Sequence, residues 1–152
     1  MNRFFTQKFK ITVFVGLLLI TLFSLTATPA FTQAKQVPMR GKFSGVGETF
    51  SGRATHLGRF DGVIDNTTSP PNAVWAAANG DTLTNITTSF VIDFSAPAAP
   101  NVYPYTQTIE FTGGSGRFQN ATGSADITGW INVATFAYNG RINGTLSRTH
   151  SK

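Results

Sequence analysis

The chain has 152 residues, a formal charge of +5, two histidines and no cysteine. The missing cysteine excludes a disulfide-stapled scaffold and a lipid anchor on an N-terminal cysteine. The charge excludes less than it suggests, because three of the twelve Lys and Arg residues lie in the first ten positions.

Met1 to Lys10 holds Arg3, Lys8 and Lys10 with no acidic residue and runs into the apolar stretch Ile11 to Leu25, which Thr12, Thr21 and Ser24 dilute. A secretory h-region is roughly 7 to 15 residues long and a spanning helix wants about 20 apolar residues, so the pattern reads as a signal peptide. Thr32 and Ala34 offer small side chains to a signal peptidase, and cleavage is expected after Ala34. Thr28-Pro29-Ala30 is the second candidate, and retention as an N-terminal anchor the alternative. No Arg-Arg pair precedes the h-region, which points to the general secretory route and a secreted or periplasmic product. The expected division is a signal over 1–34 and a single domain over 35–152. Cleavage would leave 118 residues with nine Lys and Arg against seven Asp and Glu, a charge of +2. No Lys/Arg run survives, so neither nucleic acid nor, after cleavage, a membrane is expected as partner. A domain of this length buries a core without staples.

Along the expected domain, Thr, Val, Ile and Phe alternate with glycine at short intervals, and no apolar pattern has helical spacing. Gly41 to Gly47 and Gly52 to Ile64 read as strands interrupted by glycine, which often marks a bulge or sharp bend. Asn79-Gly80, between Val74–Ala78 and Asp81–Thr84, predicts a two-residue type I′ hairpin. Thr84 to Phe94 carries the row Phe90, Ile92, Phe94. Thr106 to Thr112 is the clearest strand, with Ile109 and Phe111 on one face and Thr108, Glu110 and Thr112 on the other. Gly123 to Val133 aligns Ala125, Ile127, Gly129 and Ile131. The last long strand aligns Phe136, Tyr138, Gly140, Ile142, Gly144 and Leu146 and runs through Asn139-Gly140. The proline-bearing loops Ser69–Asn72 and Ser95–Asn101 should lie at the surface. Seven or eight strands joined by sequential hairpins predict an all-β fold, a single antiparallel up-and-down barrel of about eight strands, with a β-sandwich as the alternative.

Three segments carry a resemblance: Gly52-Arg-Ala-Thr-His-Leu-Gly58, Ala77-Ala-Asn-Gly-Asp-Thr-Leu83, and Phe111-Thr-Gly-Gly-Ser-Gly-Arg-Phe-Gln-Asn-Ala-Thr-Gly-Ser124. They look like small exported bacterial β-proteins, and the last resembles the strand, glycine turn and strand of the allene oxide cyclase and dirigent barrels. The resemblance implies an eight-stranded antiparallel barrel with a central cavity. It brings no active site, since the catalytic residues of neither enzyme family match residue by residue.

Gly113-Gly-Ser-Gly-Arg-Phe118 has neither P-loop nor dinucleotide-fingerprint spacing. It reads as a tight turn, with Phe118 plugging a barrel end and Arg117 at the rim. His56 and the tail residue His150 are the only histidines, too few and too far apart for a metal site, so no metal or other cofactor is expected. No Gly-x-Ser-x-Gly elbow accompanies the serines. Glu110, Asp126, Trp130 and Arg141 fall opposite the apolar rows. In a barrel with an open cup the parity of some strands can invert, which would set Glu110 and Arg141 beside Trp130 in a lumen able to hold a small, partly apolar ligand. The candidate ligand residues are therefore His56, Glu110, Arg117, Trp130 and Arg141. Asn66, Asn85, Asn120 and Asn143 head glycosylation triplets. Two functions remain: a non-catalytic barrel binding a small ligand, a glycan or a partner, or serving structurally, and a cofactor-independent cyclase or isomerase of the allene oxide cyclase or dirigent kind.

Overall fold

Thr, Val, Ile and aromatic residues suit a pleated, half-buried surface, and a computed structural model, which describes residues 35–147, arranges them in eight strands. These are β1 (Gln36–Val46), β2 (Thr49–Ala54), β3 (Gly58–Asp65), β4 (Asn72–Ala77), β5 (Thr82–Ile92), β6 (Val102–Gly114), β7 (Gly123–Asn132) and β8 (Ala137–Ser147). Each pairs antiparallel with its neighbour in sequence, and β1 pairs with β8 from Gln36↔Ser147 to Val46↔Ala137, closing the barrel. Closure leaves no unpaired edge. The expected up-and-down barrel is therefore the fold, and the sandwich is excluded. The expected signal segment over 1–34, with the cleavage expected after Ala34, and His150 lie outside the described residues.

The two ends of the barrel differ. At one end lie the turns 55–57 and 78–81 and the segment 115–122, where Met39, Leu57, Leu83, Phe118, Ala121 and Leu146 are buried and close the interior. Phe118 is 0% exposed, at the end of a 3₁₀ turn (Gly116–Phe118) that Gly113, Gly114 and Gly116 approach at positive φ. The glycine segment thus works as a turn and a plug. At the other end lie the turn at 47–48 and the loops 66–71, 93–101 and 133–136, and this end is open.

Inside, large aromatics face glycines across the ladder, the alternation of large and small that fills a barrel. Phe50 is opposite Gly62, where a Cβ would overlap the Phe50 ring. Phe43 is opposite Gly140, where a Cβ would stand 2.7 Å from Phe43 Cζ and 2.8 Å from the Tyr105 hydroxyl. The rings freed by these glycines interlock: Phe60 stacks on Trp75 with centroids 5.0 Å apart, and Phe50 and Phe111 meet Trp75 edge-on.

Local readings are corrected in three places. Gly52–Ile64 is a hairpin, not a bulged strand, because His56 (φ 72°) and Gly58 (φ 73°) reverse the chain. The Asn79-Gly80 hairpin is not type I′. Positive φ occurs at Gly80 and not at Asn79, and Ala77 bonds both Gly80 and Asp81, giving a three-residue loop ending in a left-handed glycine. In β5 the register slips between Thr87 and Ser89, so the inward row Leu83, Asn85, Thr87 passes to Phe90 and Ile92. Phe94 lies beyond the strand, 62% exposed, against Tyr103. The proline loops are at the surface as expected.

Candidate functional site

The aromatic rows stop short of filling the open half of the barrel. A cavity of about 340 Å³ remains there, with walls from all eight strands except the closed-end residues. Its depth is formed by Phe43, Phe50, Trp75, Ile109 and Ile127, and its mouth by Gly47, Glu48, Asn66, Pro71, Phe90 and Phe136. Phe136 is pinned at the mouth. It sits at φ 56°, its N–H donates to Asn132 O, and its carbonyl accepts from Gly47 N at 3.1 Å. A bulky residue in the left-handed region is uncommon and costs energy, and here it leaves the ring 62% exposed beside the opening.

The polar groups of the cavity wall are few. Gln107 Nε2 donates to Thr87 Oγ1 at 2.9 Å, and the Tyr138 hydroxyl donates to Thr49 O at 3.3 Å. Burial raises the Tyr105 phenol above its ordinary range, with Tyr138 adding to the effect, and burial pushes Tyr138 up to about 12. Both stay protonated donors at neutral pH. Asn85 and Trp75 are each 2% exposed, and neither Asn85 Nδ2 nor Trp75 Nε1 has a hydrogen-bond partner. A buried donor without a partner costs about 1 to 3 kcal/mol, so these two N–H groups are the polar atoms of the wall with most to gain from a partner.

Outside the mouth, hydrogen bonds favour the ionised form of two carboxylates, Asp65 at the end of β3 and Asp93 in the loop after β5. Asp65 is lowered by hydrogen bonds from the Thr67 hydroxyl and N–H, and Asp93 by the corresponding groups of Ser95. Among the described residues, no three His, Asp or Glu side chains gather as metal ligands.

Comparison of the chain with family models, with curated proteins and with solved structures finds no match. The site must be read from its own residues.

None of the five sequence candidates lines the cavity. Glu110, Trp130 and Arg141 are on the outer face of β6, β7 and β8, because the strand parity does not invert there: Ile109, Ile127 and Ile142 take the inward positions. Glu110 opposes Ser124, Trp130 opposes Asn139 and Arg141 opposes Thr128, so the three do not meet as a group. His56 is in the β2–β3 turn at the closed end, its Nε2 3.0 Å from Pro38 O. Arg117 is also at the closed end, with Nε 3.3 Å from Asp81 Oδ2, an ion pair without hydrogen-bond alignment, and its guanidinium 5.0 Å from the Phe118 ring centre. The residues that do build the site, Trp75, Asn85, Tyr105 and Tyr138, are not among the five ligand candidates. Asn85 carried the one legible signal, a polar side chain at the parity of buried Leu83. Its burial also removes Asn85 as a glycosylation acceptor in the folded protein, whereas Asn66, Asn120 and Asn143 are exposed.

Proposed function

We propose that this is an exported barrel that holds a small, mostly apolar ligand in its open cup without transforming it. The observation that carries the reading is the cavity of about 340 Å³ behind an aromatic mouth, with apolar walls and the partnerless Trp75 Nε1 and Asn85 Nδ2 among them. Binding pockets are concave, largely apolar, and carry a few polar groups for orientation. A ligand bearing one oxygen would meet the phenols of Tyr105 and Tyr138 in the wall, and a rearrangement of Asn85 or Trp75 would be needed to bring their buried N–H groups into reach.

The resemblance to the allene oxide cyclase and dirigent barrels keeps a cyclase or isomerase as the other reading. An acid–base version of that reading needs a base in the cup, and its depth is lined by Phe43, Phe50, Trp75, Ile109 and Ile127 with no carboxylate or imidazole among them. Glu48 stands at the mouth and is exposed, so the depth of the cup favours holding over proton transfer.

Export belongs to the same proposal. β1 begins at Gln36, so cleavage after Ala34 would leave every strand intact and deliver the barrel to the periplasm or the medium.

The test is titration with an anilinonaphthalene probe, which fluoresces in apolar surroundings. Wild-type protein should bind it saturably. Ala73→Phe, which places a ring in the cavity from a wall position, should abolish binding while keeping the barrel's circular dichroism. Equal binding by the folded variant would place the probe elsewhere and remove the proposal.

A further inference from the structure

The cations are scattered in sequence but gathered by the register. Lys42 lies directly opposite Arg53, Arg53 opposite Arg59, and Lys42 on its other side opposite Arg141. A continuous row of four positive side chains therefore crosses β8, β1, β2 and β3 on the outer face. Arg40, two residues from Lys42 on the same face, adds a fifth, and all five are exposed. Among the described residues the ion pair is that of Arg117 with Asp81, so the row has none. Asp61, two residues beyond Arg59 on the same face, is the nearest acid in the register. Like charges placed directly opposite on neighbouring strands are destabilising, and three consecutive such pairs are a poor arrangement for folding alone. They are a good arrangement for meeting a negative partner.

The curvature of the row narrows what that partner is. It spans three of the eight interstrand steps of a closed barrel, about a third of the circumference. A flat bilayer would touch only its crest, and a DNA duplex, stiff over about 150 base pairs, would not wrap it. A flexible chain with closely spaced charges can follow the whole row. The next row toward the open end is Asn139, Ser44, Ser51 and Asp61, with Trp130 beside Asn139. Hydroxyl and amide side chains suit sugar hydroxyls, and Trp130, 41% exposed, offers one flat apolar face to a sugar ring. Single-stranded nucleic acid is normally held on several successive aromatic platforms, which this face lacks among the described residues.

We infer that the outer face of β8–β1–β2–β3 is a docking surface for a linear anionic polysaccharide, one carrying carboxylate or sulfate on successive sugars. This surface is separate from the cup, and either site can fail without the other.

The experiment is affinity electrophoresis of the purified protein through gels containing polygalacturonate, neutral dextran or neither, with an oligothymidylate and phosphatidylglycerol vesicles assayed in parallel. Polygalacturonate should retard the protein in a salt-sensitive manner and dextran should not. With two cations of the row removed, the double variant Arg53→Gln/Arg59→Gln should bind about 30-fold more weakly. Lys35→Gln, which removes a cation outside the row, should change little. The double variant should melt no lower than wild type, since it relieves like-charge pairs, and this separates lost binding from lost fold. Absence of retardation at low salt, equal retardation by dextran, or equal loss in Lys35→Gln would overturn the inference. Tighter binding to the oligonucleotide or the vesicles would overturn it too and assign the row to that partner.

Discussion

Replacing Asn85 by leucine removes a buried amide whose Nδ2 has no partner and puts a side chain of the same branched outline but larger volume between Ala73 and Phe111, its cross-strand neighbours. The unpartnered donor costs about 1 to 3 kcal/mol, and Leu adds apolar contact at a site that is 2% exposed. The cavity beside it leaves room for the branched end, so overpacking should be minor. Asn85→Leu is therefore expected to stabilise the ligand-free barrel by about 1 to 2 kcal/mol. For a domain of this size each kcal/mol moves the thermal midpoint by about 4 °C. Urea unfolding and thermal melts of wild type, Asn85→Leu and Asn85→Asp measure this, the last placing a carboxylate in the same wall, where it should destabilise. The ligand side of the prediction has the opposite sign for polar ligands: Asn85→Leu should weaken a ligand that bonds the amide and leave a purely hydrocarbon probe unaffected. A loss of more than 1 kcal/mol in Asn85→Leu would refute the reasoning, because it would mean that the amide is hydrogen-bonded in solution, for example through water in the cup.

Phe118→Ala removes the fully buried plug of the closed end and should cost about 3 to 5 kcal/mol in denaturant unfolding. Gly62→Ala sets a methyl group into the Phe50 ring and should lose about 1 to 3 kcal/mol, most of it recovered in Gly62→Ala/Phe50→Leu. Asp81→Asn breaks an ion pair between partly exposed partners and should move stability by under about 1 kcal/mol, an effect that salt diminishes. The raised phenols predict alkaline sensitivity. With Tyr138 at about 12 when folded against about 10 unfolded, the folded state binds the more protons between those values. Its contribution is complete below about pH 10 and is lost as pH rises toward 12. Tyr138→Phe should flatten that part of the stability profile, and a profile identical to wild type would remove Tyr138 as its cause.

The barrel was legible because β6, β7 and β8 each announce one buried face. Ile109 and Phe111, Ala125 and Ile127, and Ile142 and Leu146 all occupy the inward positions their alternation predicts. The glycine turn and Phe118 plug were legible for a similar reason, since glycines cluster where the chain must take positive φ. The turn chemistry was less so: Asn79-Gly80 signals a reversal, while the choice between two- and three-residue loops depends on the hydrogen bonds of Ala77.

The site was largely illegible. An empty space is a property of packing between strands distant in sequence, such as Trp75 on β4 and Ile127 on β7, and no local pattern records it. The charged residues Glu110 and Arg141 point outward, because charged side chains on half-buried strands face water. The same physics hid the cationic row, since Lys42 and Arg141 are far apart in the chain and become neighbours only when β1 and β8 close the barrel.

Native mass spectrometry of the protein purified from the organism that makes it, alongside Ala73→Phe from the same source, decides whether the cup is occupied. Wild type should carry a small bound molecule that collisional activation releases, and the filled-cup variant should appear bare. The same adduct on both proteins, or bare protein in both, would contradict ligand holding as the barrel's role.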